Sequence, residues 1–130
     1  MKQKIPFEFV LEELDRVNPR VRPMFGCYAI YVGEKLVLIL RQRKDHADDN
    51  GVWIAIPHEH RENLRKEFPC MRSVRLLGKV ETVWQNIPVD EDDFEELVLK
   101  ACELIRKGDA RIGKIPKQRK TKKKKQKNTD

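Results

Sequence analysis

Apolar residues recur at helical spacing from the start of the chain. Phe7, Val10, Leu11, Leu14 and Val17 fall on one face of a 3.6-residue period, with Glu8, Glu12, Glu13 and Asp15 on the others. The spacing predicts a helix over 6–17, with Pro6 in its first turn and Asn18-Pro19 as its stop. Residues 27–32 are rich in aromatic and β-branched side chains, which predicts a strand. Gly33-Glu34 follows as a two-residue hairpin turn with glycine first. Residues 36–40 are all apolar, so the second strand of that hairpin is expected to be covered, at least in part, on both faces. A polar loop over 41–51 closes on Asp49-Asn50-Gly51. A third strand is expected over 52–56, a short, weak helix over 57–68, and two more strands over 73–77 and 80–84. The strongest element comes last. Phe94, Leu97, Val98, Ala101, Leu104 and Ile105 form one apolar stripe, with acidic residues before it and Arg106-Lys107 at its end, as a helix dipole favours. The sum is an α+β fold, an antiparallel sheet of about five strands flanked by N-terminal and C-terminal helices.

Charge changes this picture at one end. Residues 111–130 hold ten basic residues against Asp130 alone, or +9, so residues 1–110 keep 18 basic and 20 acidic residues, or −2. The formal net charge of +7 therefore says little about the folded part. The expected division is a single domain over 1–110, ending near Gly108, and a disordered Lys/Arg-rich tail over 111–130. Lys114, Lys117, Arg119, Lys120, Lys122, Lys123, Lys124, Lys125 and Lys127 are candidate phosphate contacts, giving sequence-independent affinity for DNA or RNA by counterion release. The run has no aromatic residue, so stacking on bases is not expected there. No apolar run approaches the ~18–20 residues of a membrane span, and no signal-peptide core follows Met1, so no membrane contact and a cytoplasmic location are expected.

One segment carries a resemblance. Arg22-Pro23-Met24-Phe25-Gly26-Cys27-Tyr28-Ala29-Ile30-Tyr31 resembles the signature of the N-terminal domain of TfoX/Sxy-type competence regulators. There a helix leads into R-x-M-F-G, an aromatic strand and a tight hairpin. The likeness extends over about residues 6–107. It implies a sheet flanked by helices, no catalytic activity and a regulatory role through an unidentified protein partner, with transcriptional coregulation as the role of the family's best-known members. Those regulators also carry a C-terminal helical domain, where this chain has its lysines. On the residues alone, Met24 and Phe25 are expected in the core, Gly26 permits a sharp turn, and Arg22 is a candidate for an anion or a partner carboxylate. Arg22, Met24, Phe25, Gly26 and Tyr28 thus form the candidate partner surface.

Other chemistry is sparse. His58-Glu59-His60 has no metal-ligand spacing on a helix, and Cys27, Cys70 and Cys102 form no C-x-x-C pair. The acidic loop over 45–50 does not fit a calcium-binding pattern and reads as solvated. Among the cysteines, Cys70 is expected to be the most accessible, and none has an evident histidine partner. No cofactor, metal site or enzymatic activity is expected. The alternative is a small-ligand-binding protein or an enzyme with a pocket beside the sheet, lined by Arg22, Tyr28, Trp53 or His58.

Overall fold

The computed structural model of the chain describes residues 5–75 and 83–115. Six strands form one antiparallel sheet: β1 (Arg20–Met24), β2 (Cys27–Val32), β3 (Lys35–Arg41), β4 (Gly51–Ala55), β5 (Arg72–Ser73) and β6 (Trp84–Pro88), in the order β1-β2-β3-β4-β6-β5. Among the described residues three α-helices accompany it: α1 (Phe9–Glu13), α2 (His58–Arg65) and α3 (Phe94–Arg106). The fold is α+β with an open antiparallel sheet. No helix among the described residues is long and apolar enough to cross a membrane.

All three helices feed one core. Val10 and Leu14 of the first helical segment, Leu64 of α2, and Val98, Ala101, Cys102 and Ile105 of α3 pack with Ile30, Leu38, Leu40, Val52, Ile54 and Ile87. The opposite face of the sheet has its own, smaller apolar cluster: Cys27, Ala29, Leu36, Ile39, Trp53 and Val74, with Met24, Tyr31 and Trp84 against it. Leu36 joins that face because Val37 is an extra residue in β3: Ile30 pairs with Leu38, but Tyr31 pairs with Leu36. The bulge turns the β3 side chains by one position and leaves Val37 in the helix-side core.

Several expectations shift. The first helix is shorter than its apolar period. Phe7 takes a left-handed φ of 57° and packs its ring at a tilt against Phe94 with centroids 5.2 Å apart, so α1 begins only at Phe9 and is followed by a 3-10 turn over Asp15–Val17. Residues 20–24, to which the pattern assigns no element, form β1. Of the strand expected over 80–84, residues 80–82 lie outside the described residues, and Trp84 opens β6 (Trp84–Pro88), where Gln85 and Asn86 are fully buried in spite of their polarity. Only Arg72–Ser73 of the strand expected over 73–77 is paired, and residues 76–82 lie outside the described residues. The acidic residues before α3 do not cap it through side chains: Asp93 at its N-cap makes no such bond.

The largest difference lies at the C-terminal side. Packing does not stop at residue 110. Ile112 is 2% exposed within the core, Gly113 donates its amide to the Ala55 carbonyl at 2.7 Å, and Lys114 pairs with Leu36 through both backbone bonds. The strap takes the place beside Leu36 that β4 vacates by ending at Ala55. Arg111 ties it to the segments that follow α2 and α3, bonding Asp109 at 2.7 and 2.9 Å and Glu67 at 2.9 Å. Apolar periodicity had ended by then, so a four-residue strap with one buried isoleucine left no pattern to read. The remaining run, 116–130, lies outside the described residues.

Candidate functional site

The expected partner segment becomes one edge of the sheet and its turn. Met24 pairs with Cys27, so Phe25-Gly26 is a two-residue hairpin loop. Both residues have positive φ, 50° at Phe25 and 79° at Gly26. This is the backbone of a type I′ turn, which matches the twist of the flanking strands but favours Asn-Gly over Phe-Gly. A left-handed conformation costs a non-glycine residue roughly 1–2 kcal/mol. Phe25 was expected in the core; instead its ring is 94% exposed, because the turn throws it off the end of the hairpin. Met24 is half-buried, at the margin of the helix-free apolar cluster.

Pairing sorts the remaining segment by face. Arg20 lies opposite Tyr31, and Arg22 opposite Ala29, so both arginines share the face of the smaller cluster. The Arg20 guanidinium lies 5.2 Å from the Tyr31 ring centroid and donates to the Gly33 carbonyl at 2.9 Å. Arg22 is exposed and has no hydrogen bond or ion pair among the described residues. Tyr28 points the other way and packs against the helix-side core, so it does not share a surface with Arg22. His58 opens α2.

A cleft of about 400 Å³ opens beside the Phe25 turn. Ile39, Trp53 and Trp84 supply its apolar wall, and the two indoles meet at 54° with centroids 6.2 Å apart. Of the four residues expected to line such a pocket, only Trp53 does so. The polar end comes from Arg41, Arg43 and Asp45. Arg41 is 1% exposed. Its Nη1 donates to the Asn50 Oδ1 at 2.7 Å and the His46 carbonyl at 2.9 Å, and its Nη2 to the Asp45 carbonyl at 2.9 Å. Its Nε is buried with no hydrogen-bond partner. Arg43 holds the Asp45 Oδ1 at 2.9 Å through Nε, a bond that keeps the Asp45 carboxyl below its usual range. The Arg43 side chain also lies over Gly26, where a Cβ would collide with the guanidinium.

The loop holding these arginines was expected to be solvated. Asp49 and Asn50 are instead buried and organise it. Asn50 accepts from the Arg43 amide at 2.9 Å and donates to its carbonyl at 2.8 Å. Asp49 accepts from the Arg75 amide at 3.0 Å, and its own carbonyl accepts from the Trp53 indole at 2.9 Å. Cys27 lies on the cleft floor, where burial pushes its thiol up while nearby Arg41 and Arg43 oppose the shift. Cys102 sits in the core, and burial pushes it up to about 12. Cys70 is half-buried, the most open of the three.

Lys114 is the one candidate phosphate contact within the described residues. Its backbone is fixed to Leu36 while the residue is exposed. Lys35 lies beside the strap, within 3.0 Å of where a Gly113 Cβ would stand. The lysine-rich run therefore departs from a corner that already carries Lys35 and Lys114.

No family model, curated protein or solved structure compared with the chain matches it.

Proposed function

We propose that the chain is a non-enzymatic regulatory or interaction module. Its basic run holds nucleic acid without sequence selection, and its Phe25 turn meets a protein partner. The observation that carries the reading is the segregation of charge. With sheet pairing continuing to Lys114, residues 1–115 hold 20 basic and 20 acidic residues, and the whole net charge of +7 falls to 116–130. Such a run releases counterions from phosphates, and a neutral domain beside it does not repel them. Arg20 and Arg22 on the β1 edge, with Lys35 and Lys114 near the root of the run, offer further phosphate contacts. The Arg22–Tyr31 segment and its resemblance to TfoX-type regulatory domains support the regulatory part of the reading.

The test compares 1–130 with 1–115 on a random-sequence duplex at several salt concentrations. If five to eight basic residues meet phosphates, the full chain shows log K falling with log salt at a slope of roughly −4 to −7. The 1–115 chain loses nearly all retention, and Arg20→Gln with Arg22→Gln reduces the slope by about one to two. Equal retention by the 1–115 chain overturns the reading.

A further inference from the structure

We propose that the cleft between the Phe25 turn and the Trp53–Trp84 pair is a binding site for a small aromatic monocarboxylate. The site stands apart from the basic run that carries the nucleic-acid reading, and it shares the Phe25 turn with the proposed protein contact. Its volume of about 400 Å³ falls in the usual range of small-molecule sites, which combine an apolar wall with a few placed polar groups.

The apolar wall fits a flat ring. Ile39, Trp53 and Trp84 present aliphatic and indole surface, and the tilt between the indoles leaves room for an edge-to-face or offset contact with a ligand ring. The polar end fits one negative charge. Arg41 and Arg43 bring two positive charges and Asp45 brings one negative charge, leaving an excess of one. Arg41 contributes its charge rather than a free donor: both Nη atoms are engaged by the loop, and its Nε is sealed below the surface beside the Cys27 thiol. Arg43 spends only its Nε on Asp45 and the backbone amide on Asn50, so its two Nη groups remain free to donate. A carboxylate accepts from several such donors at once, and charge-assisted bonds of this kind are the strong ones. A neutral ring leaves the Arg43 Nη donors unused, and a dianion exceeds the local charge.

The experiment uses the full chain and 2-naphthoate as the probe, with 2-naphthamide as the neutral control of the same shape. Binding is read by tryptophan fluorescence and by melting temperature. It is carried out at about 0.3 M salt to screen the lysine-rich run. The expected result is one site per chain for 2-naphthoate, with quenching of the indoles and a raised melting temperature. The amide binds at least tenfold more weakly. Arg43→Gln, on a half-exposed side chain that holds no core contact, weakens 2-naphthoate at least tenfold and leaves the amide unchanged. Arg41→Gln is expected to weaken it further, but Arg41 also holds its loop, so Arg43→Gln decides. Equal binding of acid and amide, undiminished binding to Arg43→Gln, or no binding of either compound overturns the proposal.

Discussion

Leu36 and Lys114 exchange both backbone hydrogen bonds, at 2.8 and 3.0 Å. The pairing makes residues 111–114 part of the sheet. Removing them takes away a buried isoleucine and the Arg111 clamp on Asp109 and Glu67. Loss of a buried isoleucine side chain alone costs ~2–5 kcal/mol. A chain ending at residue 110 is therefore expected to be less stable than one ending at 115 by about 3 kcal/mol or more. Urea unfolding of the two checks this, and coincident midpoints refute it.

The Phe25 turn offers the opposite outcome. Phe25→Asn gives the Asn-Gly sequence that a type I′ turn prefers. The exposed ring makes little packing contribution, so relief of the left-handed strain dominates. Stability is expected to rise by about 1 kcal/mol, while capture of a protein partner through this turn is lost. Thermal unfolding and partner retention separate the two effects, and a lowered melting temperature contradicts the assignment of strain.

Asp109 gives the strap a pH dependence. The hydrogen bonds from Arg111 hold its carboxyl down at about 2, below its ordinary value. A depressed folded-state value means that the stabilisation is complete above the unfolded value, near pH 4, and disappears as pH falls through about 2. Asp109→Asn should therefore be less stable than the parent at neutral pH, with the difference closing between pH 4 and 2. Urea midpoints at pH 7, 4 and 2 test it, and a difference that persists unchanged at pH 2 rules the linkage out.

Thiol chemistry is also ordered by burial. Cys70 is half-buried, Cys27 lies on the cleft floor, and Cys102 is fully enclosed with its thiol pushed up to about 12. A thiolate is the reactive form, so Cys102 is expected to react only on unfolding and Cys70 first. Mass spectrometry of partially labelled native protein checks the order. Early modification of Cys102 would show that α3 opens locally.

The sequence patterns reached what periodicity can carry. α3, β2, β3 and the Gly33-Glu34 turn stand where their side chains predict, because each buries a regular stripe or a continuous apolar run. Gln85 and Asn86 hid β6, since their burial depends on neighbours in β4 and β5 far along the chain. Phe25 misled because an aromatic residue ordinarily packs, and its exposure follows from φ values imposed by a two-residue turn. The cleft was legible only at Trp53. Its polar end depends on Asn50 bending the loop so that Arg41 and Arg43 meet above Cys27, a relationship no local spacing encodes.

The strap also sets a time. Leu36 waits for Lys114, 78 residues later in the chain. At the usual synthesis rate of 5–20 residues per second, that interval is about 4–16 s. During it, the bulged end of β3 lacks its last neighbour and the helix-side core lacks Ile112. The nascent chain therefore carries an open strand edge at Leu36 for seconds.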